Sequence, residues 1–287
     1  MAIQTATTTT SKLAELYRDD IKINTITSAA DLVYDKTTPV IIFLHFWGGS
    51  SATWSLVGPI ITDKGYPITA IDFRGWGDST GPDLEDAYSI SNLADDVEGV
   101  LAEIDIPRVV LVGLSMGAKV AQLIAARGGR FSSRLCGLVL VSPSPATPLT
   151  LPADMRDQQL HAYDSEESAR FVATNVLTVS YRGDDSNRTL PAFVVQDMLR
   201  GNKWAKKAWP AYGMADDVSA GVGDISVPVL VLAADKDVVE PVERVRAEVC
   251  DKIPGSKLVV IQDSGHLSPL DKPEAVAENL LEFLKEL

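Results

Sequence analysis

Short apolar runs separated by longer amphipathic stretches constrain the fold of this chain more than any other feature of its sequence. The runs cover 39–44, 67–71, 108–112, 135–141, 227–232 and 257–261, and each is rich in Val, Ile and Leu. A continuous apolar run of this length suits a strand covered on both faces, as in a sheet sandwiched between helices. The intervening stretches have helical periodicity. Residues 91–104 put Leu93, Val97, Val100 and Leu101 on one face, at the 3–4 spacing of an amphipathic helix. Residues 115–126 are small and apolar, as a buried central helix would be. Residues 271–287 open with Asp271, carry Pro273 in the first turn and align Val276, Leu280, Leu281 and Leu284, which predicts a terminal helix. Strand–helix alternation predicts an α/β fold with a mostly parallel sheet.

One interval breaks the rhythm. Between Ser144 and Ile225 no buried-strand run occurs, and the segment is polar and helical in flavour. It is too long for a structureless loop. The expected organisation is therefore a core of residues 19–144 and 226–287 with a helical insertion, 145–225, over the strand ends. Residues 1–18, which begin MAIQTATTTTSK, are expected to be flexible.

The net charge of −13 disfavours nucleic acid and anionic membrane as partners. The N-terminus lacks the apolar core of a signal peptide, and no apolar run reaches the length of a membrane span. The expectation is a soluble cytoplasmic protein. Cys136 and Cys250 each sit beside an apolar run and are expected to be reduced and buried. No Cys/His cluster has metal-ligand spacing, and the chemistry below requires no cofactor.

The sharpest chemical signal is Gly113-Leu114-Ser115-Met116-Gly117, preceded by an apolar strand and followed by a small-residue helix. A nucleophilic serine must stand on a tight strand-to-helix turn so that its hydroxyl is presented. Side chains at the two flanking glycines would clash there. The helix then aims its positive end at the serine, where a developing oxyanion gains from it.

Such a serine needs a base. The chain has three histidines. His45 ends the first apolar run, and His161 lies among charged residues of the insertion. His266 follows the last apolar run in a loop, Asp263-Ser264-Gly265-His266. Loops at the carboxyl ends of strands are where catalytic groups gather in open α/β sheets, so His266 is the candidate base. The acid that orients it should follow a strand between serine and histidine. Asp235 and Asp237, just past the 227–232 run, both qualify, whereas the 135–141 run ends in Ser142-Pro143-Ser144 without a carboxylate.

Order and context together resemble the α/β-hydrolase superfamily, and the likeness covers about 38–144 and 226–287. Asp72-Phe73-Arg74-Gly75-Trp76-Gly77-Asp78-Ser79, Asp237-Val238-Val239-Glu240-Pro241 and Gly265-His266 are similar to the family's later motifs. The resemblance implies Asp237 rather than Asp235 as the acid. His45-Phe46-Trp47-Gly48-Gly49 is similar to the oxyanion loop, with Phe46 where the family usually has glycine. It implies the backbone N–H groups of Trp47 and Met116 as oxyanion donors, His45 as a loop-shaping residue, and Asp72, Arg74 and Asp78 as turn and packing residues.

The insertion resembles the cap of cap-bearing members, whose aromatics here, with Met198 and Met214, divide between cap core and an apolar acyl pocket. The basic residues Arg200, Lys203, Lys206 and Lys207 are expected to form a solvated helix face. The implied activity is cofactor-free hydrolysis of a small apolar ester or lactone. Serine at the elbow argues against the aspartate chemistry of dehalogenases and epoxide hydrolases. Esterases, enol-lactonases, cofactor-free haloperoxidases, which are perhydrolases, and carbon–carbon bond hydrolases remain open. So does a non-catalytic ligand-binding role on the same fold.

Overall fold

The computed structural model describes residues 16–18, 21–28, 37–104, 106–129, 131–182 and 188–287. Of the 1–18 segment expected to be flexible, residues 1–15 lie outside the described residues. Leu16–Arg18 forms β1, antiparallel to β2 (Ile21–Ile23).

The main sheet contains, among the described residues, β3 (Thr25–Ser28), β4 (Val40–Leu44), β5 (Ile68–Ile71), β6 (Val109–Leu114), β7 (Leu135–Val141), β8 (Val229–Ala234) and β9 (Lys257–Ile261). They run in the order β3-β5-β4-β6-β7-β8-β9. Only β3 is antiparallel to its neighbour; the other pairings are parallel. Every apolar run of the sequence is a strand. Those at the middle of the sheet are buried along nearly their whole length, while the edge strand β9 is mostly half-buried.

β3 was not expected. Its sequence, Thr-Ile-Thr-Ser, has a single large apolar residue, and Ile26 is exposed. An edge strand needs only its inner face covered, and a hydroxyl pair, Thr27 Oγ1 to Thr69 Oγ1 at 3.1 Å, ties it to β5.

Helices α1 (Gly58–Thr62), α2 (Ile90–Glu103) and α3 (Met116–Arg127) fill the first half. Then come α4 (Ala153–Leu160), α5 (Glu166–Val172), α6 (Ala192–Arg200) and α7 (Lys203–Ala211). α8 (Val242–Glu248), α9 (Ser268–Asp271) and α10 (Pro273–Lys285) complete the chain. α2 packs on α3 and α1 on α10, a pairing that sorts the core helices into two layers flanking the sheet. The terminal helix starts two residues later than the sequence suggests, because Asp271 closes the short α9 and Pro273 is the first residue of α10.

Between β7 and β8 the described residues contain helices α4 to α7 and a five-residue π-helical turn, Ala173–Leu177. Cys136 and Cys250 are free thiols but half-buried rather than buried, and that burial pushes both thiols up. Among the described residues no helix is long and apolar enough to cross a membrane.

Candidate active site

Ser115 occupies the single residue between β6 and α3, with φ 55° and ψ −112°. A side chain at positive φ with this ψ is strained by of order 1–3 kcal/mol, and the surroundings enforce it. Its N–H donates to the Val141 carbonyl at 3.0 Å, and its carbonyl accepts the N–H groups of Ala118 and Lys119. A Cβ on Gly113 would lie 2.3 Å from the Gly117 carbonyl oxygen, and one on Gly117 would lie 2.6 Å from the carbonyl oxygens of both Leu44 and His45. Strand, helix and the end of β4 therefore meet at backbone contact. The Ser115 side chain caps none of the N–H groups of α3, which leaves its hydroxyl for another partner.

His266 and Asp237, on loops after β9 and β8, are in direct contact. Nδ1 of His266 lies 2.8 Å from Oδ2 of Asp237, and both side chains are almost fully buried. Burial works against the Asp237 carboxylate. The His266 imidazole and the N–H groups of Glu240 and Val239 outweigh it and hold the acid below the usual carboxylate range. Burial likewise opposes the imidazolium, yet Asp237, with help from Glu240, raises His266 above its ordinary value. Asp235 is exposed and its Oδ1 accepts the Ser264 N–H instead. Ser115, Asp237 and His266 all follow the carboxyl ends of parallel strands and so share one edge of the sheet. No hydrogen bond joins Ser115 to His266 here; in ligand-free enzymes such contacts are often long and tighten with substrate.

The loop after β4 takes its left-handed turn at Gly48, with φ 95°, and not at Phe46. The Phe46 side chain is therefore no obstacle. The Phe46 carbonyl accepts Nδ1 of His45 at 2.7 Å and the Gly49 N–H at 3.0 Å. Because the Phe73 N–H donates to Nε2 of His45 at 3.0 Å, the ring proton sits on Nδ1. Burial pushes His45 down to about 4, so it is a neutral strut. The Trp47 N–H has no acceptor among the described residues, and Met116 opens α3, so its N–H falls outside the helical ladder. Asp72 receives the Ser51 and Asp78 N–H groups, and Arg74 forms a two-pronged pair with Asp96 at 2.5 Å. His161 is exposed beside Asp164.

Several residues that organise the site are given no role in it by the sequence. Glu240 is buried beside His266 and 3.4 Å from Arg244, and burial pushes its carboxyl up to about 7. Asp271 is fully buried and accepts the N–H groups of Gly265, Val179 and Ser180. It thus ties the histidine loop to the segment following the π turn. Lys119, one turn beyond Ser115, is fully buried and donates to the carbonyls of Met214 at 2.9 Å and Thr147 at 3.3 Å. Of the presumed pocket residues, Met198 and Met214 are buried and Phe171 is 61% exposed. The basic cluster is paired: Arg200 with Asp78, Lys203 with Asp83, Lys206 with the Tyr163 carbonyl, and Lys207 over the Trp204 ring. Among the described residues no group of His, Cys, Asp and Glu could hold a metal ion.

The sequence is 27% identical over 260 residues to a non-heme chloroperoxidase of Kitasatospora aureofaciens, covering 86% of this chain and 92% of that one. The structure superposes on an esterase from Exiguobacterium antarcticum with a TM-score of 0.78 at 21% identity, covering 94% of this chain and 98% of the other. It superposes on an enol-lactonase from Burkholderia xenovorans with a TM-score of 0.78 at 21% identity, covering 93% and 98%. At these identities the two structures speak to the fold. The profile of the alpha/beta hydrolase family matches residues 41–279, nearly the whole sheet and its helices, and the chain belongs to that family.

Proposed function

We propose that this protein is a serine hydrolase that cleaves a small apolar carboxylic ester or lactone. The observation that carries the reading is the buried His266–Asp237 pair on the same sheet edge as the strained Ser115 turn. Ser115 Oγ attacks the carbonyl carbon and passes its proton to Nε2 of His266. The N–H groups of Trp47 and Met116 receive the charge that develops on the carbonyl oxygen. The carbon–oxygen bond to the alcohol breaks, His266 returns the proton to the leaving oxygen, and an acyl-enzyme remains. Water, deprotonated by His266, then releases the acid and restores the serine. Asp237 keeps the ring proton on Nδ1 and stabilises the imidazolium. Residues 145–225 are read as a cap over this site, carried on a core of residues 19–144 and 226–287.

The likeness to a non-heme chloroperoxidase supports a second reading, in which hydrogen peroxide replaces water as the acyl acceptor. Both need an activated serine. The test is intact-mass measurement after treatment with a fluorophosphonate, with peptide mapping and Ser115→Ala alongside, then a panel of esters and lactones with and without peroxide. A single adduct on Ser115, lost in the variant, supports the reading. A folded wild type that takes no adduct and turns over no ester refutes it, and stoichiometric binding of a panel member without turnover would mark a binding protein.

A further inference from the structure

The loop between β4 and the turn Ser51–Trp54 is gripped from outside the core. The Tyr163 hydroxyl donates to the Trp47 carbonyl at 2.9 Å. Its ring lies against the Trp47 indole, centroids 4.2 Å apart. The contact is tight enough that a Cβ on Gly48 would fall 2.6 Å from the Tyr163 hydroxyl. The Trp47 indole N–H donates to the Lys206 carbonyl at 3.0 Å, and Nζ of Lys206 returns to the Tyr163 carbonyl at 3.3 Å, closing a ring of contacts. A third grip comes from α6, where Asp197 accepts the Ser50 hydroxyl at 2.5 Å.

From the core side the same loop is held at Phe46, whose carbonyl is bound by His45 and Gly49. That carbonyl and the Trp47 N–H are opposite ends of one trans peptide unit. Pinning the oxygen inward aims the N–H the other way. The peptide's remaining freedom is rotation about the Trp47 backbone, and the Trp47 carbonyl and ring are what Tyr163 and Lys206 hold. A bare loop would be fixed at one end only.

We propose that Tyr163 is a positioning residue that couples helices α4 to α7 to the oxyanion site. By holding Trp47 from above, it aligns the Trp47 N–H when those helices are seated on the loop. The proposal rests on the reading of the Trp47 N–H as an oxyanion donor. A donor displaced by about 1 Å loses much of its effect on the transition state, where charge is greatest, and little of its effect on substrate binding.

The test is Tyr163→Phe in the full chain, which keeps the ring and removes only the hydroxyl. Tyr212→Phe is the control, since that hydroxyl donates to the Glu85 carbonyl, away from the loop. With p-nitrophenyl acetate, kcat is expected to fall about tenfold, short of the roughly 10²–10³ lost when an oxyanion donor is removed outright. KM should hold, Tm should fall by no more than the roughly 2–5 °C of one lost buried hydrogen bond, and fluorophosphonate labelling should slow in step with kcat. The chain has five tryptophans, so 15N-tryptophan labelling gives a simple spectrum in which the Trp47 amide signal should move and the others stay. A kcat no lower than that of Tyr212→Phe, or a Trp47 signal that does not move, overturns the coupling. A wild type inert toward both ester and fluorophosphonate overturns the hydrolase reading instead, and a Trp47 signal that still moves in Tyr163→Phe keeps the coupling without it.

Discussion

The two carboxylate oxygens of Asp237 have separate partners: Oδ2 faces Nδ1 of His266 at 2.8 Å, and Oδ1 accepts the N–H groups of Val239 at 2.8 Å and Glu240 at 2.9 Å. An amide in this place cannot satisfy both sides. If its oxygen stays with the loop N–H groups, its NH2 faces His266 and forces the ring proton onto Nε2, the nitrogen that accepts from Ser115 in the proposed mechanism. Asp237→Asn is therefore expected to lower kcat by roughly 10⁴, the cost of holding the wrong tautomer, with the fold retained. Asp235→Asn, at an exposed residue bonded to the Ser264 N–H, should change kcat by less than about twofold. Ester hydrolysis by the two variants measures this, and equal losses would reassign the acid.

The pH profile has a definite sign. In the proposed mechanism His266 acts as base only when neutral, and Asp237 and Glu240 hold it above its ordinary value of 6.5. Activity should fall as pH drops through that raised value, so the acid limb of kcat/KM lies above pH 6.5. Glu240 itself is pushed up to about 7 by burial, and its charge, where present, favours the imidazolium. Glu240→Gln removes a negative charge that favours the imidazolium. It should move the limb to lower pH. A limb that stays in place in Glu240→Gln would show that Glu240 does not act on His266.

The parts of this molecule visible in its sequence are those whose physics is local. Buried strands need apolar runs, and each run became a strand. The elbow needs two glycines around a serine, and Gly113 and Gly117 stand where a Cβ would strike backbone. The choice of Asp237 over Asp235 was not local: two residues of the same type two positions apart differ only in which one the loop turns inward, and a likeness to other sequences decided it. What lay beyond reach was contact between distant segments. Asp271 looked like the start of a helix, yet it binds N–H groups 91 and 92 positions earlier in the chain. Tyr163 and Trp47 are 116 positions apart. Lys119 reads as a polar residue in a helix, and nothing in its neighbours announces two carbonyls waiting above it.

Gly117 carries a prediction about how closely the elbow is built. In Gly117→Ala the added methyl would sit 2.6 Å from the carbonyl oxygens of Leu44 and His45, and backbone cannot step aside as a side chain can. The expected cost is roughly 1–3 kcal/mol of stability, as for other overpacked sites. The loss of kcat should be larger than that stability loss suggests, because the displaced backbone leads directly into Phe46 and Trp47. Denaturant melts and ester kinetics on one preparation separate the two. A stable, fully active Gly117→Ala would mean that the loop after β4 yields freely.

Asp271 should matter for stability through hydrogen bonds alone. Its side chain is fully buried; Oδ2 accepts Gly265 N–H at 2.8 Å and Val179 N–H at 3.0 Å, and Oδ1 accepts Ser180 N–H at 2.9 Å. Asp271→Asn has nearly the same shape, so packing is preserved. Whichever way the amide turns, its NH2 points at an N–H donor and leaves that donor buried without an acceptor. Hydrogen bonds to a charged group contribute about 1.5–3 kcal/mol each, so the variant should lose roughly 2–4 kcal/mol. For a chain of 287 residues that is a fall in Tm of roughly 3–7 °C. The damage lies on both sides of His266, because Leu267 N–H also donates to the Leu177 carbonyl, at 2.8 Å. Kcat should therefore fall even at temperatures where the variant is fully folded. Thermal melts with kinetics at 25 °C test this, and an unchanged Tm would mean that the 177–181 segment is held on the histidine loop by something other than this carboxylate.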